Sequence, residues 1–277
     1  MVCAARSLFG DKMKIITTLL DAIKRDKSYL IGVIFTITAL FLLFVQHDWQ
    51  SRQEYQSTLA IKSDLPDFAS ITDAQQKKAQ FFAFLRPLVV KENGRIKYKK
   101  ELLLSLLQSI KKDHYHSGIN AKKLNKLAKE FGLESNDIQA NIEELKLRID
   151  IIPTSLVLAQ AANESAWGTS RFATQANNLF GQWCYTQGCG LIPGNRNTGG
   201  QHKVRKYASV QASVSSYMRN LNTHNAYSDL RNIRAGLRLR NQSITGEKLA
   251  HGLSRYSERG QDYVDELISM IKHNRLE

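Results

Sequence analysis

An apolar run near the N-terminus constrains the topology of the whole chain. The stretch YLIGVIFTITALFLLFV, Tyr29–Val45, contains no charged residue and is just long enough to cross a bilayer as a helix. Lys24, Arg25 and Lys27 precede it, so the positive-inside rule places the N-terminus in the cytoplasm and the rest of the chain outside. A cleaved signal peptide is the alternative, but the following HDWQSRQEYQ contains no small-x-small cleavage site. We therefore predict an uncleaved transmembrane anchor at residues 29–46.

The charge of the chain indicates the kind of partner it binds. A net charge of +14 at pH 7 predicts affinity for polyanions, which include nucleic acid, anionic lipid and the acidic polymers of a cell envelope. Because the predicted anchor places the main domain outside the cytoplasm, nucleic acid is not an expected partner.

The two downstream cysteines agree with an extracytoplasmic location. Cys184 and Cys189, in the segment CYTQGC, are close enough in sequence to pair in an oxidising compartment. Two free thiols, or a metal site that includes His202, are the alternatives. A zinc site would need a fourth ligand that this segment does not obviously supply, so we predict a disulfide, no metal and no cofactor.

Periodicity and composition divide the chain into successive parts. They are a cytoplasmic tail at residues 1–28, the anchor at 29–46, a polar linker at 47–70, a helical region at 71–147 and a C-terminal domain at 148–277. In the helical region, a first helix is predicted to break near Pro87 and to end around Asn93–Gly94, and a second covers KKELLLSLLQSIKKDHYH. A third ends at Gly132, and a fourth opens on a Ser135 or Asn136 cap.

One carboxylate stands out at the start of the C-terminal domain. The stretch PTSLVLAQAANESAWGTS predicts an apolar helix with Pro153 at its first position and Gly168 as its C′ residue. Glu164 lies in its last turn, where the macrodipole disfavours an anion, and the next Asp or Glu is Asp229. Apolar neighbours and the helix end both raise the pKa of such a carboxyl, as a general acid requires. The alternative to a catalytic acid is a surface glutamate at a frayed helix end, or one paired with Arg171.

The segment after this helix loses helical periodicity. Thr169 or Ser170 is predicted to cap a short helix, RFATQA. Gly, Asn and Pro then punctuate NNLFGQWCYTQGCGLIPGNRNTGGQHKVRKYAS, which predicts loops with short β-hairpin pieces. Helices resume at VQASVSSYMRNLNTH, TGEKLAHGL and QDYVDELISMIKHN. The predicted fold class is mainly α (α+β), with one irregular lobe inserted after the Glu164 helix.

Two stretches carry a resemblance to a known family. LVLAQAANESAWGTSRFATQANNLFGQWC resembles the core of the bacterial glucosaminidase-type peptidoglycan hydrolases, the endo-β-N-acetylglucosaminidase domain family (glycoside hydrolase family 73-like). The matching positions there are Ala161, Glu164, Ser165, Gly168, Ser170, Asn178, Leu179, Phe180 and Gly181. VRKYASVQASVSSYMRNLNTHNAY matches through Arg205, Tyr207, Ser209, Ser213, Tyr217 and Tyr227. FFAFLRPLVVKEN, CYTQGCG and the tail GLSRYSERGQDYVDELISMIKHNRL are similar to the Bax-type subgroup, so the resemblance covers roughly residues 75–277.

The resemblance implies a lysozyme-like, mainly α fold with a sugar-binding groove and a small β-hairpin lobe. It implies cleavage of the β-1,4 bond on the reducing side of N-acetylglucosamine in cell-wall glycan. Together with the predicted anchor, this activity places the protein in the bacterial inner membrane as a single-pass protein with its catalytic domain in the periplasm. The implied catalytic residues are Glu164 as the acid, Tyr227 and Tyr207, and the implied substrate-binding residues are Asn178, Phe180, Gly181 and Arg205. Trp183 and Tyr185 either stack on sugar rings or fill the small lobe, and Arg205 either meets substrate carboxylates or is solvated.

The chain departs from the family at the position of the second acid. A two-carboxylate mechanism needs another Asp or Glu beside the scissile bond, yet Gln182 to Tyr207 contains none. Attack by the N-acetyl group of the substrate, stabilisation of the oxocarbenium ion by Tyr227 or Tyr207, and a carboxylate from another segment all remain open. We favour substrate assistance. A lytic transglycosylase and a non-catalytic peptidoglycan-binding protein are the alternative functions.

Overall fold

The computed structural model describes the chain from residue 65 onward with short gaps. The described residues are 38, 39, 42, 43, 46, 65–112, 118–135, 137–194 and 202–277. The chain divides into two compact units, Met1–Ala60 and Ile61–Glu277, and every element from Phe68 onward belongs to the second. The predicted anchor at residues 29–46 lies outside the described residues except at scattered positions. In the described ranges, no helix is both long and apolar enough to span a membrane.

The described elements are mostly helical, and this confirms the mainly α class. The helices are α1 (Ala74–Lys112), α2 (Gly118–Glu130), α3 (Ile138–Arg148), α4 (Thr154–Ser165), α5 (Arg171–Ala176), α6 (Val210–Thr223), α7 (Ser228–Leu239), α8 (Gly246–Ala250) and α9 (Gln261–His273). Short 3-10 helices cover Phe68–Ser70, Asn225–Tyr227 and His251–Leu253. The strands β1 (Trp183–Cys184), β2 (Gly190–Leu191) and β3 (Lys203–Arg205) form an antiparallel sheet in the order β1-β3-β2.

Helix α1 is continuous, so the predicted break near Pro87 and the predicted end at Asn93–Gly94 are wrong. Pro87 removes one helical hydrogen bond, but its partner Ala83 is exposed, where water can satisfy the carbonyl. Asn93 is buried and uses both ends of its amide on Ile152: Nδ2 donates to the carbonyl at 2.8 Å, and Oδ1 accepts from the N–H at 3.1 Å. Tertiary contact therefore overrides the local stop signal.

The packed fold begins inside the predicted linker at residues 47–70. Asp67 caps the 3-10 turn Phe68–Ser70 through the N–H of Ala69. The Phe68 ring is buried and packs edge-to-face on Phe81, with 5.4 Å between ring centroids.

Two predicted helix starts shift by one or two residues. The cap of α3 is Asp137, whose carboxylate accepts from the N–H groups of Gln139 and Ala140, and not Ser135 or Asn136. Pro153 occupies the N-cap position of α4 and not its first helical position.

A buried arginine on α7 holds the connection between α3 and α4. Arg234 is fully buried, and its guanidinium donates to the carbonyls of Leu147, Asp150 and Ile151 at 2.7, 2.9 and 3.0 Å. These bonds satisfy buried backbone acceptors, and the carbonyl of Asp150 also accepts from Asn222 Nδ2 at 3.1 Å. The start of α4 is therefore fixed from the C-terminal side.

The side chain of Asp150 ties the same connection to two helices. Its carboxylate accepts from Arg238 of α7 at 2.9 and 3.0 Å and from Lys100 of α1 at 2.7 Å. Burial alone would raise the pKa of Asp150, but the hydrogen bonds from Arg238 and Lys100 and the charge of Arg234 outweigh it and hold the pKa at about 2.

Candidate active site

Helix α4 carries Glu164 on a rigid support. The helix packs against α1, α8 and α9, and its residues Leu156 to Ala162 are almost completely buried. Glu164, in the last turn, is half-buried at the edge of this core. A carboxylate on a helix packed from several sides is held in one place, as a catalytic group requires.

The chain reverses immediately after Glu164. Ala166, Trp167 and Gly168 have positive φ angles of 48°, 59° and 79°, so the left-handed region begins two residues earlier than predicted, at Ala166. Ser165 Oγ accepts from the N–H of Gly168 at 2.8 Å and donates to the carbonyl of Ala161 at 2.6 Å. Non-glycine residues in this region store strain that surrounding contacts must hold. The helix end is therefore tied down, and the alternative of a frayed end is wrong.

A chain of buried hydrogen bonds leads to the Glu164 carboxylate. Tyr263 OH donates to Glu164 Oε1 at 2.7 Å and accepts from Gln160 Nε2 at 3.0 Å, and Gln160 Oε1 accepts from Tyr217 OH. The second oxygen, Glu164 Oε2, accepts no hydrogen bond from a described residue. It faces Gly181, where an added Cβ would lie 3.5 Å away. One oxygen is thus fixed and the other is left for a proton.

The pKa of Glu164 is raised above its ordinary value of 4.5. Burial is the main cause, the hydrogen bond from Tyr263 opposes it, and the negative charge of Glu266 adds to the rise. Arg171 does not pair with Glu164, because its guanidinium donates to the carbonyl of Ile192 at 2.6 Å. The direction of the shift is the one expected from the sequence, and it suits a carboxyl that must keep its proton.

Glu164 opens into a groove of about 890 Å³ between the β lobe and α6. Most of the predicted site residues line it: Glu164, Phe180, Gly181, Trp183, Tyr185, Arg205 and Tyr227. Glu164 is the one carboxylate among the described lining residues. The groove therefore brings the predicted acid together with aromatic and basic side chains, as a carbohydrate site requires.

The predicted aromatics of the β lobe are exposed in the groove. Trp183 is 56% exposed and stacks on His202 with 4.3 Å between ring centroids, and Tyr185 is 71% exposed. Neither ring fills the interior of the lobe, so the filling alternative is wrong. Exposed rings on a groove wall are suited to stacking against sugar faces.

Asn178 and Tyr207 do not line the groove, in contrast to the predicted contacts with substrate. Asn178 is buried, and its Nδ2 donates to the carbonyls of Gln182 and Arg205 at 2.9 Å each. Tyr207 OH donates to Gln182 Oε1 at 2.7 Å and lies 2.9 Å from Ser216 Oγ. Both residues shape the groove from beneath, because Gln182, Arg205 and Ser216 do line it.

Two functional tyrosines were missed from the sequence. Tyr256 lines the groove and donates to the carbonyl of Phe180 at 2.7 Å, and Tyr263 holds Glu164. Their rings stack with 5.6 Å between centroids, and Tyr227 lies 5.9 Å from Tyr256. Burial raises the pKa of each of these tyrosines, so their hydroxyls stay protonated. Both tyrosines lie in the C-terminal stretch SRYSERGQDY, which is part of the family resemblance. That resemblance is the sequence signal from which they could have been found.

The cysteines of the β lobe form a disulfide. Cys184 and Cys189 are bonded, with 6.2 Å between Cα atoms, and they join the end of β1 to the turn before β2. Neither thiol is left to bind a metal with His202. Across the described residues, no group of three or more His, Cys, Asp or Glu side chains is placed to hold a metal ion.

Comparisons with known proteins agree with this site. The glucosaminidase family model, described as mannosyl-glycoprotein endo-beta-N-acetylglucosaminidase, matches residues 139–276. Protein bax of Escherichia coli (strain K12) is 35% identical over 230 residues, which cover 81% of this chain and 80% of that protein. No solved structure matches, so the lysozyme-like likeness stays a prediction. The family indicates glycoside hydrolase activity with peptidoglycan glycan as the substrate. The two matches together show that the chain belongs to the glucosaminidase family and is a Bax-type protein.

Proposed function

We propose that this protein cleaves the β-1,4 bond on the reducing side of N-acetylglucosamine in cell-wall glycan, with Glu164 as the general acid. The observation that carries the proposal is the carboxyl itself. Its pKa is raised by burial, Oε1 is held by Tyr263, and Oε2 is open to an aromatic-lined groove. A glycosidase acid needs this combination, because it must hold a proton near neutral pH and deliver it in one direction.

In the first step, Glu164 Oε2 protonates the glycosidic oxygen as the C1–O bond breaks. The bonding electron pair leaves with that oxygen, which takes the proton and becomes the hydroxyl of the departing sugar. Tyr263 then stabilises the carboxylate that forms, because its hydroxyl already donates to Oε1 at 2.7 Å. Hydrogen bonds to a charged acceptor are stronger than bonds to a neutral one, so this contact strengthens as the proton leaves.

The attacking group comes from the substrate. Glu164 is the single carboxylate among the described groove residues, so no second protein acid lies beside it there. The carbonyl oxygen of the N-acetyl group bonds to C1 as the leaving group departs, which gives a cyclic oxazolinium ion. Water then opens this ring at C1 and gives its proton to the Glu164 carboxylate. Tyr227, which lines the groove and stays protonated, offers a neutral hydroxyl near the developing positive charge.

Mass spectrometry of the products tests the proposal. Full-length protein and Glu164→Gln are each incubated with purified wall sacculi, and the released muropeptides are analysed. We expect new reducing-end N-acetylglucosamine from the wild type and a loss of about 100-fold or more in the variant. Release that persists at the wild-type rate in Glu164→Gln would refute the assignment of the acid. Binding to the wall without release by either protein would favour the non-catalytic alternative.

A lytic transglycosylase is the second candidate, and the same single carboxylate favours it. Such an enzyme also uses one glutamate, which protonates the leaving group and then takes a proton from the sugar itself. Its products end in 1,6-anhydro-N-acetylmuramic acid, so the same spectra separate the two reactions.

We also propose that residues 29–46 anchor the enzyme in the bacterial inner membrane with Ile61–Glu277 in the periplasm. The uncharged run and the basic residues before it support this, and the excess of basic over acidic residues in Ile61–Glu277 would draw that domain to the acidic wall. The disulfide between Cys184 and Cys189 fits an oxidising compartment. Fractionation of cells tests the anchor: the full chain should sediment with membranes and resist alkaline extraction, and a chain without residues 1–46 should not.

A further inference from the structure

A second cavity opens beside the catalytic groove. It has a volume of about 320 Å³, and it lies between α6 and the N-terminal helices α1 and α2. We call it the side pocket; Glu92, Ile96, Lys99, Phe131, Ser215 and Arg219 lie along it. Its volume is roughly ten times the share of one water molecule in the liquid, which is enough for part of a peptide.

Helix α6 separates the side pocket from the groove, and two of its residues belong to both. Ser216 and Arg219 line each cavity, with a spacing of three that places them on one face of the helix. On one side of this shared face Ser215 lines the side pocket, and on the other side Asn220 lines the groove. A ligand in the groove can therefore extend a branch over Ser216 into the side pocket.

The side pocket contains a cationic and an anionic side chain that each keep hydrogen-bonding atoms without a partner among the described residues. Arg219 lies exposed at the shared edge, and its guanidinium makes no hydrogen bond within the described part of the chain. Glu92 is 9% exposed, and its Oε2 accepts from Ser215 Oγ at 2.6 Å and from Arg95 at 3.2 Å. Its Oε1 accepts no hydrogen bond from a described residue. A free cation thus lies at the entrance and a carboxylate with an open oxygen lies deeper.

Apolar and paired groups complete the wall. Ile96 and Phe131 are buried beneath the side pocket and offer apolar contact. Lys99 pairs with Glu130 and lies 5.6 Å from the centre of the Phe131 ring, so its ammonium is already neutralised. Among the described lining residues, the unpaired charge is therefore Arg219, whereas Glu92 is paired with Arg95 at 3.2 Å but keeps its Oε1 open deeper in the side pocket.

We propose that the side pocket binds the peptide stem of the wall glycan. The proposal rests on the proposed function, because it takes the glycan to lie in the groove beside Glu164. The stem hangs from the lactyl group of N-acetylmuramic acid and carries carboxylates, methyl groups and, in walls that contain diaminopimelate, a free ammonium group. Arg219 meets a carboxylate near the sugar, Ile96 and Phe131 contact methyl groups, and Glu92 meets the ammonium group. The N-terminal helices then contribute to substrate selection.

Equilibrium binding tests this without requiring cleavage. Full-length Glu164→Gln is titrated with two probes, the disaccharide of N-acetylglucosamine and N-acetylmuramic acid, and the same disaccharide bearing a diaminopimelate tetrapeptide. We expect the peptide-bearing probe to bind about tenfold more tightly or better, as one charged hydrogen bond provides. Adding Glu92→Gln should remove that advantage and leave the affinity for the bare disaccharide unchanged. The glutamine side chain in that variant still offers an amide oxygen to Ser215 and Arg95, so the fold is expected to hold.

Two further variants make the result specific. Ser215→Leu places an apolar side chain in the side pocket without removing a charge, and it should abolish the advantage of the peptide-bearing probe in the same way. Glu101→Gln makes the same chemical change as Glu92→Gln at an exposed site of α1 outside the side pocket, and it should leave both affinities unchanged.

Three results would overturn the inference. They are equal affinity for the two probes, a loss of affinity for both probes in Glu92→Gln, and no binding of either probe. Failure of the proposed function would look different: the peptide-bearing probe would keep its advantage, and the protein with Glu164 intact would still release no sugar.

Discussion

Replacing Tyr263 by phenylalanine tests how the protein sets the acidity of Glu164. The Tyr263 hydroxyl donates to Glu164 Oε1, and this hydrogen bond lowers a pKa that burial otherwise raises. The variant removes the hydroxyl and keeps the ring, which stacks on Tyr256 with 5.6 Å between centroids. The pKa of Glu164 is therefore expected to rise further. Because activity needs the protonated acid, the alkaline limb of the pH–rate profile should move to higher pH.

The size of the effect on rate follows from the same contact. After proton transfer Glu164 is charged, and a hydrogen bond to a charged group contributes about 1.5–3 kcal/mol. Glu164 is only half-buried, so the lower end applies, and kcat/KM should fall by about tenfold at the plateau of the profile. Gln160 Nε2 also loses its acceptor in the core, which should lower the free energy of unfolding by about 1–3 kcal/mol.

Tyr256→Phe is the matched control for this prediction. Its hydroxyl lies in the same cluster but donates to the carbonyl of Phe180, and not to Glu164. The rate of wall solubilisation is measured from turbidity across the pH range for both variants and the wild type. An alkaline limb that stays in place in Tyr263→Phe, or that moves equally in Tyr256→Phe, would contradict the role given to Tyr263.

Four other substitutions test how the fold supports the site. Gly168→Ala should lower the free energy of unfolding in urea by about 2 kcal/mol, because its Cβ would lie 2.7 Å from the Phe68 ring. Gly188→Ala is the control: it has a similar positive φ but lies in open space, so it should lower the free energy of unfolding by about 1 kcal/mol. The pKa of Asp150 is about 2 against an ordinary 3.8, so the ionised carboxylate stabilises the fold above about pH 4, and this contribution is lost as pH falls through about 2. In urea unfolding, Asp150→Asn should remove this dependence on acid and lower the free energy of unfolding by about 2 kcal/mol at neutral pH. Because the pKa of Glu164 is raised above 4.5 in the folded protein, ionisation of this carboxyl destabilises the fold as pH rises above 4.5. Glu164→Gln removes the ionisation, so it should raise Tm in calorimetry at neutral pH and leave Tm unchanged below about pH 4.

The sequence predicted the class of the fold and most of its elements, but not how long α1 is. Helical periodicity, caps such as Ser170 and the glycine-rich lobe are local signals, and they placed the elements of the C-terminal domain. Pro87 and Gly94 are also local signals, and they misled because Asn93 bonds Ile152, a residue far away in sequence. Local patterns cannot contain a contact of that kind.

The same distinction explains the site. Glu164 could be found because an acid in the last turn of an apolar helix is unusual in the sequence itself. Tyr263 could not be given its role, since it lies 99 residues further on and only the packing of α9 on α4 brings its hydroxyl to the carboxylate. The family resemblance predicted that Asn178 touches sugar, whereas the side chain is buried and its amide bonds the backbone.

The N-terminal helices are part of the machinery that positions Glu164, although the family match begins only at residue 139. From α1, Asn93 holds the backbone of Ile152 just before α4, and Lys100 holds Asp150. A fragment of residues 139–277 would lose both contacts and would expose the face of α4 that α1 covers.

We therefore expect that fragment to lack a sharp thermal transition, whereas residues 65–277 should unfold cooperatively, as circular dichroism and calorimetry can compare. An equal Tm for the two fragments would mean that α1 is a spacer and that the C-terminal helices position Glu164 without it. A cooperative transition in the longer fragment alone would make α1 a structural part of the active site, and it would account for a similarity to protein bax that extends beyond the family domain to 81% of the chain.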